Sequence, residues 1–254
     1  MSGAKICTME RSLWIDMEQT LTERIQAVRQ KIAEAARQAG RDPAEITLCA
    51  ATKVQTSDTI RAAIAAGITV CGENRVQEFT GHLADGAYEG AQVHFIGHLQ
   101  RNKVKYVVGK VDLIQSVDGE ELLGLIDRRA EKLGIVQDIL IEVNIGGEAS
   151  KTGADPQLAH RLAALAGQLD HVRLRGLMAI PPISTKPGEN RRFFAEMRQL
   201  FVDITEKKYD NENTMDILSM GMSGDFQDAI LEGATLVRVG TALFGPRPPI
   251  RAQG

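Results

Sequence analysis

The chain has 254 residues, 43% of them hydrophobic and 25% charged, with a formal net charge of -3 at pH 7. That length allows one large domain or two small ones, and the near-balanced charge excludes a global basic field that would gather nucleic acid or an anionic membrane. No apolar run is long enough to span a bilayer, and Met1 to Cys7 lacks a signal-peptide apolar core.

The first predicted element is a helix within about residues 10–40, with Met17, Leu21, Ile25, Val28, Ile32 and Ala36 at helical spacing and Gly40 as its stop. Asp42-Pro43 then turns the chain into a strand, Ile46 to Lys53, whose last residue is its only charge. Ser57 is placed to cap a short helix carrying Ile60 and Ile64, and Ile68 to Gly72 reads as the next strand, followed by a helix from about Glu73 to Leu83. The third strand is Gln92 to Gly97, with a short helix around Val104 to Val108, and the fourth is Leu113 to Val117. Asp118 and Glu121 match a capping box for a helix with Leu122, Leu125, Ile126 and Leu133 on one face. Asp138 to Ile145 is the fifth strand. Asp155-Pro156 opens a helix with Leu158, Leu162, Leu165 and Leu169 on its stripe. Val172 to Ile180, a helix marked by Phe193, Met197, Leu200, Phe201 and Ile204, and the strand Met215 to Gly221 come next. A short helix from about Gly224 to Glu232 and the strand Thr235 to Gly240 complete the series.

Strand followed by helix, repeated about eight times, predicts a parallel sheet, and at this length a closed (β/α)8 TIM barrel. No linker interrupts the series, so the chain reads as a single domain over residues 1–254, with the barrel over about 46–245 and a short tail. Cys49 and Cys71 lie in strand-like runs and read as small core residues. With Cys7 they make an odd, scattered set that suits a reducing cytoplasm better than a disulfide framework.

In such barrels the chemistry lies at the C-terminal ends of the strands. Lys53 ends the first strand, where partial burial would penalise its ammonium form and favour a nucleophilic amine. The plainer alternative is a lysine that begins a solvated loop. Asn74 follows the second strand and is a helix cap, a loop contact or a ligand contact. Ser219 to Gly224 and Arg238 to Thr241 end the last two strands, where these barrels often bind phosphate. Gly221, Ser223, Gly224, Gly240 and Thr241 offer backbone N–H groups, hydroxyls and open space for an anion. Taken singly, Ser223 reads more simply as an N-cap and Gly240 as a turn glycine, and it is their meeting at the two expected strand ends that favours phosphate. Arg238 sits inside an apolar run, and strand alternation points it into the barrel if Val237 and Val239 pack on helices. A buried guanidinium needs a partner, either Glu142 or a ligand acceptor. His94 and His98 are four apart on a strand without further ligands, which argues against a metal site. Lys151 is a loop lysine that could meet an anion at the barrel mouth.

Seven ordered segments carry a resemblance. They are Ala50-Ala51-Thr52-Lys53, Gly72 to Glu78, His94 to Gln100, Val143-Asn144-Ile145 with Ser150 to Gly153, Leu174 to Pro181, Ser219 to Ser223, and Val237 to Gly245. Through them the chain, from about Thr20 to Arg247, resembles the pyridoxal 5'-phosphate (PLP) homeostasis protein family of the YggS/PROSC type. His98 stands where some relatives have proline, and Thr52 where some have serine. The resemblance implies a barrel like the N-terminal domain of alanine racemase, with PLP held as a Schiff base on Lys53. It implies phosphate contacts from Ser223, Gly240 and Thr241, Arg238 facing the pyridine nitrogen, and Asn74 near the site. An arginine at that nitrogen weakens the ring as an electron sink. The tyrosines Tyr88, Tyr106 and Tyr209 fall in or beside predicted helices, away from the strand ends. The expectation is a cytoplasmic, monomeric carrier that buffers PLP or delivers it to apo-enzymes, without robust turnover. A weak PLP-dependent racemase or lyase is the alternative, and a phosphate-sugar aldolase or isomerase using Lys53 without PLP is a third reading.

Overall fold

The structure is a computed structural model that describes residues 20–148, 152–182, 186, 188–207 and 215–246. Its strands are β1 (Thr47–Ala51), β2 (Val70–Glu73), β3 (Gln92–Phe95), β4 (Leu113–Val117), β5 (Gln137–Val143), β6 (Val172–Ala179), β7 (Ile217–Ser219) and β8 (Leu236–Val239). Each pairs in parallel with the next, and β8 closes on β1, giving the expected barrel. A first helix, α1 (Leu21–Gln38), precedes the barrel. After the strands in turn come α2 (Ser57–Ala65), α3 (Val76–Ala84), α4 (Val104–Val107), α5 (Glu120–Leu133), α6 (Pro156–Ala166), α7 (Arg191–Glu206), α8 (Phe226–Leu231) and α9 (Thr241–Phe244).

Side-chain alternation along the strands builds two apolar layers. Cys49, Ala51, Val70, Ile96 and Leu236 pack together inside the barrel, and so do Leu113, Leu140 and Met178. Ala50, Cys71, Phe95, Ile114, Val237 and Val239 belong to the larger core shared with the helices. Gly176 shows how tight the strand packing is: a Cβ there would lie 1.8 Å from the Ile217 carbonyl oxygen, at a φ of +150°. Burial leaves the Cys49 and Cys71 thiols free and raises their pKa, so both are inert core residues.

Several local expectations are corrected. α1 begins after Thr20, where Thr20 and Glu23 form a reciprocal capping box; the earlier part of the predicted helix, with Met17, lies outside the described residues, as does Cys7. Thr56, not Ser57, caps α2, because its hydroxyl accepts from Thr59 N while Ser57 turns to Asp85. The predicted capping box at Asp118 and Glu121 does not form. Gly119 is the N-cap of α5, Asp118 lies 3.5 Å from His98, and Glu121 pairs with Arg101. In α7 it is Phe194 that is fully buried, while the Phe193 ring lies under the Arg192 guanidinium. Among the described residues no helix is long and apolar enough to cross a membrane.

Candidate functional site

Two cavities lie at opposite ends of the barrel. One of about 330 Å³ opens among the strand starts, lined by Thr47, Gln92, His94, Asp112, Asp138 and Arg175. The smaller, about 230 Å³, lies at the C-terminal strand ends. The smaller is the candidate site, because barrel chemistry sits at that end and because its lining includes Lys53, Asn74, Ser223, Arg238, Gly240 and Thr241. Every residue chosen from the sequence as a cofactor contact therefore lines a single cavity.

Lys53 follows β1, and alternation from inward-facing Cys49 and Ala51 carries it to the mouth of the cavity, where it is half-buried. Its neighbours are anchored outside the barrel. Thr52 N–H donates to the Gly72 carbonyl at 2.9 Å, and its hydroxyl donates to Glu73 Oε1 at 2.5 Å. Gln55 N–H returns to the Thr52 carbonyl, closing a turn with Lys53 and Val54 in its middle. Val54 has a φ of 59°, and among the described residues no other non-glycine has a positive φ. For a β-branched residue such a backbone costs about 1–3 kcal/mol. Asn74 is set by Gly97, where any Cβ would meet the Asn74 carbonyl oxygen at 2.2 Å. Its own Oδ1 is buried and lacks a hydrogen-bond partner, which makes it a candidate ligand contact.

The two segments expected to form an anion cradle do meet. Ser223 Oγ accepts from the N–H groups of Gly240 at 3.1 Å and Ala242 at 3.3 Å. Ser223 is not the cap of α8; that position belongs to Asp225. Hydroxyl, backbone donors and the start of α9 thus converge at one edge of the cavity.

Arg238 points into the barrel, 4% exposed and level with Cys49 across the β1–β8 pairing. Its guanidinium donates to Ser219 Oγ at 2.6 Å and to the Ala179 carbonyl at 2.8 Å. Glu142 is not its contact partner: that carboxylate accepts from Thr152 at 2.9 Å, and burial raises its pKa. Among the described residues Arg238 therefore has no carboxylate in contact, although Glu142 and Asp225 act on its charge at longer range.

Beneath Arg238 runs a chain that the sequence reading missed. Ser219 Oγ donates to Gln115 Oε1 at 2.7 Å, and Gln115 Nε2 lies 3.0 Å from His94 Nδ1. The signal was available, since Gln115 interrupts an apolar strand as Arg238 does. His94 lines the lower cavity, and no group of three or more metal-ligating side chains occurs among the described residues. Burial pushes its imidazole down to about 4 from 6.5, against the opposing pull of Asp112. The folded state thus refuses a proton that the unfolded chain accepts below pH 6.5, so stability is full above that pH and falls as pH drops toward 4. The span of 6.5 to about 4 corresponds to about 3 kcal/mol. Urea unfolding at pH 7 and pH 4.5 should show a larger loss for the wild type than for His94→Asn. Parallel losses would remove His94 as the cause.

Tyr88 also differs from expectation. It is buried beside the end of β2, where its hydroxyl donates to Glu73 Oε1 at 2.9 Å. Burial raises its pKa, as does the Glu73 carboxylate. Tyr106 is partly exposed under Lys103 and Lys105. Lys151 and Tyr209 lie outside the described residues.

Residues 24–248 match the family model described as alanine racemase, N-terminal domain. The chain is 44% identical over 225 residues to a pyridoxal phosphate homeostasis protein of Aquifex aeolicus, covering 89% of this chain and 97% of that one. A protein of the same name from Pseudomonas aeruginosa is 40% identical over 228 residues, covering 90% and 96%. Among solved structures, PipY of Synechococcus elongatus with PLP bound superposes with a TM-score of 0.77 at 33% identity, covering 89% of this chain and all of PipY.

Proposed function

Because the chain belongs to the pyridoxal phosphate homeostasis protein family, built on the alanine racemase N-terminal domain, we propose that its barrel mouth holds PLP for intracellular vitamin B6 homeostasis. The observation that carries this is the gathering of Lys53, Asn74, Arg238, Ser223, Gly240 and Thr241 around one cavity. Their chemistry fits the cofactor. Asn74 Oδ1 is a buried acceptor without a hydrogen-bond partner, Arg238 is a buried cation with no carboxylate in contact among the described residues, and the Ser223 hydroxyl, which accepts from Gly240 and Ala242, keeps its own proton for a phosphate. When bound, PLP supplies an aldehyde that the Lys53 amine can capture as a Schiff base.

Two features favour a carrier over a racemase or lyase. Arg238 would face the pyridine nitrogen and disfavour its protonation, which weakens carbanion support. Among the described residues no tyrosine lines the cavity, and the Tyr88 hydroxyl is committed to Glu73. In this reading the whole chain is one barrel domain acting as a monomer in the cytoplasm, where the free Cys49 and Cys71 thiols stay reduced, and its partners are apo-enzymes that need PLP.

The test mixes PLP-loaded protein with an apo-enzyme and a trap for free PLP. Reactivation of the enzyme faster than release into the trap is expected. Transfer no faster than release would leave buffering alone, and sustained turnover of an amino acid by the loaded protein would overturn the carrier reading.

A further inference from the structure

The residues on both sides of Lys53 are fastened to one neighbouring segment, the end of β2 and the first turn of α3. On one side, the Thr52 hydroxyl donates to Glu73, whose side chain is fully buried and also takes the Tyr88 hydroxyl at 2.9 Å, with His82 Nδ1 at 3.3 Å. On the other side, Val54 N–H donates to Glu78 Oε2 at 3.1 Å, and Arg75 lies 3.4 Å from the second oxygen of that carboxylate. Val54 is the residue with the positive φ, and its side chain is 49% exposed, so apolar burial does little to hold it in that conformation. The Glu78 carboxylate is the side-chain anchor on the strained peptide.

We propose that Glu78, together with Glu73, is a positioning residue that holds the Lys53 turn with its amine at the cavity mouth. Neither carboxylate lines the cavity, so they act through the backbone around Lys53. The proposal rests on the reading of Lys53 as the PLP tether and adds the device that presents it. It also gives the valine a role. Glycine would take the positive φ without strain, so a strained valine makes the presented state depend on the anchor. Loosening α3 would then loosen the tether without a change at the cavity itself.

The test uses Glu78→Ala, Glu78→Gln, Val54→Gly and the Val54→Gly/Glu78→Ala pair in the full chain. Hydrogen exchange of the Val54 amide is followed in the protein without PLP. Release of PLP into a trap, with the visible absorption band, is followed in the loaded protein. Glu78→Ala should raise both exchange and release about tenfold. Glu78→Gln keeps an acceptor oxygen and should stay within about threefold of wild type, which also controls for the stability of α3. In the Val54→Gly background the effect of Glu78→Ala should shrink to less than about threefold, because no strain remains to be held. Unchanged exchange and release in Glu78→Ala, or an equal effect in both backgrounds, overturns the proposal. If the wild type shows no Lys53-dependent band while Val54 exchange still responds to Glu78→Ala, the tether reading fails and the anchoring of the turn stands.

Discussion

Lys53→Ala protein is expected to stay colourless when mixed with PLP, and its affinity for the cofactor should fall by at least about a hundredfold, close to 3 kcal/mol. The magnitude follows from what is removed. The contacts that Asn74, Arg238 and the Ser223–Gly240 edge would still offer are hydrogen bonds and a charge contact, and none would replace a covalent bond. The fold should survive, because Lys53 is half-buried at a cavity mouth and follows β1 instead of lying within it. Stability within about 1 kcal/mol of wild type, read from urea unfolding, would show this. Lys53→Arg separates covalent from electrostatic roles. A guanidinium keeps the positive charge at the cavity mouth but stays protonated and cannot capture an aldehyde. A visible band that persists in Lys53→Arg would falsify the tether reading.

The architecture was legible because its signal is local. Strand alternation and helical spacing are set by the nearest few residues, so eight strands and the inward direction of Arg238 followed from pattern alone. That Lys53, Asn74, Ser223, Arg238, Gly240 and Thr241 share one cavity was also legible, because the barrel's geometry assigns all strand ends to one face. Long-range pairing was not. Glu142 was one candidate partner for Arg238, but Thr152 takes its carboxylate and Ser219 takes the guanidinium. Glu73 looked like an ordinary helix start. Its buried role needs Thr52, His82 and Tyr88 from three separate parts of the chain. The same applies to Tyr88, whose position beside a helix concealed a hydroxyl that reaches the end of β2. The Val54 backbone could not be read either, since a β-branched residue predicts against a positive φ, and both the Thr52–Gln55 turn that places it there and the Glu78 contact on its N–H emerge only in the fold.

Arg238 carries the second large effect. Arg238→Ala removes a long buried side chain and leaves the Ala179 carbonyl and the Ser219 hydroxyl without their donor. Cavity and unsatisfied acceptors together should cost about 3–5 kcal/mol of stability. Weak cofactor binding by that variant alone would be ambiguous. Arg238→Met keeps most of the volume while removing charge and donors, so its folding loss should be smaller. PLP titration of folded Arg238→Met, followed by absorbance, should show affinity reduced by about tenfold or more and a shifted absorption maximum. Both effects are expected if Arg238 is the donor that faces the pyridine nitrogen and discourages its protonation. Arg238→Lys restores charge without the planar fork and should recover affinity only in part, since its ammonium cannot reach Ser219, Ala179 and a ligand in the same plane. An Arg238→Met protein with wild-type affinity and spectrum would sink the pyridine contact and leave Lys53 untouched. In that case Arg238 would hold only the Ser219–Gln115–His94 chain along the barrel axis, and its substitution would change unfolding while leaving the cofactor as it was.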